Sequence, residues 1–205
     1  FNGKKFAGQV EGELVNQVNQ LTKKLRRRPK LVIILVGDDP ASKLYVGRKQ
    51  KAAERIGVEF ELAKFEAGDL APVNRFIGAK NTDSGVDGIM VQLPFGLSQG
   101  KPLSRLAQQE VIDRIASEKD VDGLRSDSKF LPATVRAVLA IVDEARRLTG
   151  CNPVRAVVVG NKGAVGQPLE RELKNKGYKV TGMDKDDFDP NKIREADVVI
   201  SATGQ

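Results

Sequence analysis

At 205 residues and 40% hydrophobic, the chain can hold one large α/β domain or two modest ones with real cores. It has no histidine and a single cysteine, Cys151, which excludes a zinc centre, a Ser-His-Asp triad and an internal disulfide. Acid-base chemistry therefore falls to Lys, Asp, Glu or Tyr. Much of the net charge of +7 lies in Lys23-Lys-Leu-Arg-Arg-Arg-Pro-Lys30. That cluster closes a helix and has no interleaved aromatic residues, so it reads as a solvated helix end ahead of a nucleic-acid or anionic-ligand site. No run of about eighteen apolar residues and no charged-then-apolar leader occurs, so neither a membrane span nor a signal peptide is supported and a cytoplasmic protein is expected.

In chain order, Val10, Leu14, Val18, Leu21 and Leu25 predict an amphipathic helix over residues 7 to 28. Leu31-Val-Ile-Ile-Leu-Val36 is a continuous apolar run, the pattern of a parallel strand buried on both faces. Asp39 is a good N-cap and Pro40 suits the first turn of a helix over 40–56. On that helix, at about 100° per residue, Ser42, Tyr45 and Lys49 fall within about 60° of one another. A hydroxyl, a ring and an amine thus share one face beside the carboxyl edge of a sheet, where ligands of open α/β folds sit. The alternative is a half-buried tyrosine beside a solvated lysine.

A strand at 58–65, a helix near 71–80 and a strand at 86–92, broken by Leu93-Pro94, come next. A helix over 101–117 leads to the polar turn Glu118-Lys-Asp-Val-Asp-Gly123, where the domain boundary is expected. Beyond it, a helix opens at Pro132, a buried strand covers 154–160, a helix 165–176, and strands 178–184 and 197–204. Alternating strands and helices predict parallel βαβ units. Gly160-Asn-Lys-Gly-Ala-Val-Gly166 stands between strand and helix, where backbone amides can cradle a pyrophosphate, although its spacing is GxxGxxG. Asp184, 24 residues beyond Gly160, is placed to hold a ribose 2′-hydroxyl, which favours NAD. Lys162 and Lys185 leave NADP open. Gln92, Asp120 and Asp122 are polar groups expected at the same edge as Tyr45 and Lys49, or else ordinary strand-end and turn residues.

Val36-Gly-Asp-Asp-Pro40 with Ala41-Ser-Lys-Leu-Tyr-Val-Gly-Arg-Lys-Gln-Lys-Ala52, then Val86-Asp-Gly-Ile-Met-Val-Gln-Leu-Pro94, Lys119-Asp-Val-Asp-Gly123 and Val159-Gly160 through Val165-Gly-Gln-Pro168 together resemble the methylenetetrahydrofolate dehydrogenase/cyclohydrolase family. The resemblance implies a two-domain α/β enzyme, with a catalytic folate-binding domain at 1–123 and a Rossmann-like NAD(P)-binding domain at 124–205. It implies oxidation of 5,10-methylenetetrahydrofolate with NAD or NADP, hydrolysis of the methenyl product to 10-formyltetrahydrofolate, and a homodimer. By the same resemblance Lys49 is the acid-base residue, Gln92 its hydrogen-bond partner and Asp122 the group that holds the pterin edge. Tyr45 stacks on the folate ring and Ser42 supports the helix face, with Leu93, Pro94 and Asp120 at the substrate site. Gly160, Asn161, Lys162, Val165, Gly166, Asp184, Thr203 and Gly204 are the expected cofactor-binding residues. No nucleic acid, membrane or metal is implied.

Three departures stand against the family pattern. Pro132-Ala-Thr-Val135 replaces Pro-Cys-Thr-Pro, and Gly160-Asn-Lys162 replaces the Gly-Arg-Ser turn associated with NADP. The later Pro-Gly-Gly-Val-Gly-Pro segment is absent from these residues, so the second domain is expected to be incomplete at its C-terminus. The rival readings are an enzyme keeping only one of the two activities and a non-catalytic nucleotide-binding protein on the same scaffold.

Overall fold

A computed structural model describes residues 2–94 and 103–203. The chain folds as two compact units, Asn2–Phe130 and the part from Leu131 onward, each with its own parallel sheet.

The first unit runs α1 (Gly3–Leu25), β1 (Lys30–Val36), α2 (Pro40–Ile56), β2 (Glu59–Phe65), α3 (Ala71–Thr82), β3 (Gly88–Val91) and α4 (Arg105–Ile112). Its sheet has the order β2-β1-β3, with both neighbours parallel to β1. Because β1 is central, its side chains alternate between two apolar layers. Val32, Ile34 and Val36 join Val73, Ile77, Val111 and Ile115, while Ile33 and Leu35 join Val46 and Met90. Burial on both faces is why the strand carries no polar alternation.

Two helices differ from the sequence expectation. α1 is set by its caps: the Asn2 side chain accepts the Lys5 N–H at 3.0 Å, and Arg26 turns left-handed at φ 57°. The helix therefore covers Gly3–Leu25, earlier than the expected 7 to 28. Arg27 then leaves the helix to form a two-pronged pair with Asp87, and Lys30 pairs with Glu59, so part of the basic cluster ties β1 to its neighbours. α4 stops at Ile112, short of 117. Asp113 instead accepts the Ser126 N–H, and the Arg125 guanidinium takes the Asp113 and Ile115 carbonyls, so side chains satisfy the groups that further helix would have used.

The second unit runs α5 (Ala133–Thr149), β4 (Arg155–Val159), α6 (Gly166–Asn175), β5 (Lys179–Met183), α7 (Pro190–Arg194) and β6 (Val198–Ser201), with sheet order β5-β4-β6, all parallel. Val135, Leu139 and Val142 of α5 and Leu169 and Leu173 of α6 pack with Ala156 and Val158. α7 was not anticipated from the sequence; it is a single short turn of helix, capped by Asp189 and opened by Pro190. Beside β6 an open groove of about 990 Å³ is lined by Val138, Ile141, Val142, Val198 and Ile200, among others. Among the described residues no helix is long and apolar enough to cross a membrane, and no cluster of metal-ligating side chains occurs.

Candidate active site

The first constellation grows from the ends of β1 and β3. Gly37, at φ 86°, turns the chain out of β1, and the Asp39 carboxylate caps α2 by accepting the Ser42 N–H at 2.6 Å. The α2 face that carries Ser42, Val46 and Ala53 is buried, and Lys49 lies half-buried on the same side. Its amine donates to Gln92 Oε1 at 2.9 Å. Gln92 is only 6% exposed, and its own Nε2 is tied to the Leu93 carbonyl at 2.7 Å, which fixes the amide with its oxygen towards the amine. The Leu93-Pro94 bond that follows is cis; Leu93 is half-buried and Pro94 exposed.

The polar turn is drawn against β3. Ile89 donates to the Lys119 carbonyl at 2.8 Å and forms a bridge with Asp120. A Cβ on Gly88 would meet Val121 at 2.8 Å, so only glycine admits this approach. Asp120 is 1% exposed, and its carboxylate accepts the Leu124 and Arg125 N–H groups, so it holds its own loop. Asp122 is half-buried and makes no ion pair among the described residues.

The amine of Lys49 and the carboxyl of Asp122 act on each other electrostatically. Burial pushes the Lys49 pKa below the ordinary value, opposed by the charge of Asp122. Burial raises the Asp122 carboxyl, with Lys49 opposing and Asp120 adding to the rise. Each group thus favours its neutral form, and each resists that tendency in the other. Tyr45, 53% exposed, carries the Arg48 guanidinium 5.7 Å from its ring centroid. Ser42 Oγ is buried without a hydrogen-bond partner among the described residues.

The second constellation is the turn between β4 and α6. Gly160 has φ 82°, and a Cβ there would lie 2.9 Å from Ala202; on Gly166 it would lie 2.1 Å from the Gly160 carbonyl. The turn is thereby pulled tight under the start of α6, which has no side-chain cap. The N–H groups of Lys162, Ala164 and Val165 have no hydrogen-bond partner among the described residues. Uncommitted amides at a helix start are suited to a pyrophosphate. Asn161 points inward to Glu170, Lys162 is exposed and Val165 is half-buried at the helix start. Asp184 follows β5, and Thr203 follows β6 with its hydroxyl 3.3 Å from Ser201 Oγ. Gly204 lies outside the described residues. Glu170 and Gly182, which shape this turn, were missed from the sequence; a glycine inside a strand was the one available hint of close approach.

A family model described as "Tetrahydrofolate dehydrogenase/cyclohydrolase, catalytic domain" matches residues 1–122, and one described as "Tetrahydrofolate dehydrogenase/cyclohydrolase, NAD(P)-binding domain" matches 132–205. The "Bifunctional protein FolD" of Staphylococcus epidermidis is 35% identical over an alignment that covers the whole of this chain and 72% of the relative. The crystal structure of the bifunctional FolD enzyme of Campylobacter jejuni superimposes with a TM-score of 0.85 at 30% identity, covering 98% of this chain and 72% of that one. The Trypanosoma brucei methylenetetrahydrofolate dehydrogenase-cyclohydrolase, complexed with NADP and an inhibitor, gives 0.84 at 26% identity, covering 100% and 71%.

Proposed function

Because the chain belongs to the tetrahydrofolate dehydrogenase/cyclohydrolase family, we propose that it oxidises 5,10-methylenetetrahydrofolate with a nicotinamide dinucleotide and hydrolyses the methenyl product to 10-formyltetrahydrofolate, with Lys49 as the acid-base group. The observation that carries the role of Lys49 is its amine, half-buried and held at 2.9 Å by the neutral oxygen of Gln92. A carboxylate in that place would keep the lysine protonated; an amide positions it without that charge. The substrate's cationic methenyl carbon would favour the neutral amine further. Lys49 then takes a proton from the water that attacks this carbon and returns it to the departing ring nitrogen.

Tyr45 offers a flat face for the folate ring system, and Asp122 a carboxyl for the pterin edge. Asp120 supports Asp122 from within the loop, Ser42 supports the helix face, and Leu93 and Pro94 border the substrate. The free amides of the turn from Gly160 to Gly166 fit a pyrophosphate, with Asn161, Lys162, Val165, Asp184, Thr203 and Gly204 around the rest of the cofactor. Bound there, the nicotinamide supplies the acceptor for the substrate's hydride, and the residues around it contribute alignment. The functional division we assign follows the polar turn, 1–123 for folate and 124–205 for the cofactor. A cytoplasmic location and a homodimer complete the reading.

Replacing Lys49 with methionine tests it. Hydrolysis of methenyltetrahydrofolate should fall by about 10²–10⁴, the usual contribution of a positioned acid-base group, while dinucleotide binding survives. Unchanged hydrolysis would remove the assigned role.

A further inference from the structure

The nucleotide turn contains a lock that the family reading leaves unused. Gly182, the last residue but one of β5, opens a slot: a Cβ there would lie 2.1 Å from Asn161 Nδ2 and 2.4 Å from Glu170 Oε2. Asn161 fills that slot. Its Nδ2 donates to Glu170 Oε2 at 3.0 Å, and the other Glu170 oxygen takes the Lys174 amine at 2.7 Å. Lys174 first, and then the Asn161 amide, hold the Glu170 carboxyl below its usual range against burial. The first side chain after Gly160 is therefore turned into the protein, one of its two N–H donors given to a carboxylate and its Oδ1 buried.

The other wall is acidic. Asp184 accepts the Lys185 N–H through Oδ1 at 2.9 Å, and Oδ2 has no hydrogen bond among the described residues. The Asp187 carboxylate accepts the Asp184 N–H and closes the turn. Residues 184–189 carry four carboxylates and one ammonium. Lys162 and Lys185, the cations nearest in sequence to the turn and the strand end, are exposed and make no ion pair among the described residues.

We propose that this site selects the dinucleotide with a free adenosine 2′-hydroxyl, and that Glu170 is a positioning residue which, through Asn161, withholds a donor from a 2′-phosphate. The inference rests on the reading of the second unit as the nucleotide site. A ribose hydroxyl can donate to the unoccupied Asp184 oxygen. A 2′-phosphate brings about two negative charges among carboxylates held in place by backbone hydrogen bonds, and finds the Asn161 amide drawn inward to Glu170. The two lysines are solvated and offer only screened attraction.

The test is equilibrium titration of the full chain with NADH and NADPH, followed by fluorescence. NADH should bind more tightly by about tenfold or more at low salt, on the scale of one partly screened like-charge contact, and the ratio should narrow at high salt. D184N should weaken NADH alone. E170A frees the Asn161 amide and should narrow the ratio by strengthening NADPH, whereas E170Q keeps an acceptor for Asn161 and should preserve it. Equal affinities, or tighter NADPH, in the unaltered chain would overturn the selectivity, and an E170A ratio matching the original would overturn the role of Glu170. NADPH preference together with methylenetetrahydrofolate turnover would remove this inference alone. Failure to bind either dinucleotide would remove the nucleotide-site reading as well.

Discussion

Lys49 and Asp122 are costly residues for the fold, and the signs of their shifts say when. Lys49 has a lowered folded pKa, so between that value and the ordinary lysine range the unfolded chain binds more protons and stability rises with pH. Below the folded value the full penalty of burying an ammonium is present. Lys49→Met should remove that slope in a series of thermal melts from neutral pH to about 10, near the ordinary lysine pKa. The slope is the readout because losing the Gln92 hydrogen bond adds a pH-independent cost of about 1 kcal/mol. Asp122 runs the opposite way: its folded pKa is raised, so stability is lost as pH rises through it, and Asp122→Asn should flatten the acidic side of the same profile. Gln92→Glu, which sets a charge against the amine, should move the acidic limb of the hydrolysis profile to higher pH. It should also lower the rate at neutral pH by about tenfold or more, since less of the base is neutral. An unmoved limb would mean that Lys49 is not the group that titrates.

The three glycines of the turn between β4 and α6 are not equivalent. Gly166 faces a backbone oxygen 2.1 Å from where a Cβ would stand, whereas on Gly163 the nearest atom would be 3.4 Å away with no unusual backbone angle. Gly166→Ala should therefore lower stability by about 1–3 kcal/mol, the overpacking range, and Gly163→Ala should be nearly silent in denaturant melts. Gly182→Ala lies between: the atoms it meets belong to side chains, so Asn161→Ala in the same chain should recover part of the loss, a coupling that a double-mutant cycle measures. From sequence, the turn was legible as a strand–glycine–helix unit. Which glycines it needs was not, because that depends on Ala202 and on the Asn161 and Glu170 side chains arriving from elsewhere. The strands of β1 and β4 were legible for the converse reason, since burial on both faces writes an unbroken apolar run. The early stop of α4 was hidden, because it depends on Arg125, a residue beyond the predicted helix.

Across the whole molecule, the chemistry-bearing residues split along the same line as the cores. Lys49, Gln92 and Asp122 belong to the unit built on β1, and the glycine turn and Asp184 to the unit built on β4. The Lys49–Gln92 pair was readable as a spacing on α2 and a break after β3, but the contact itself needed the parallel register that sets Ile34 beside Val91. A ligand stabilises the unit that binds it, by about 2.7 kcal/mol when present at about a hundred times its Kd. NADH at that level should slow amide exchange about a hundredfold in Val157–Val159 and Val180–Met183, wherever exchange proceeds through opening of that unit. Exchange in Val32–Val36 and Ile89–Val91 should change less. Hydrogen-exchange mass spectrometry resolves these segments. Stronger protection of β1 and β3 than of β4 and β5 would assign the dinucleotide to the first unit, and the turn at Gly160 would then be only a tight connection.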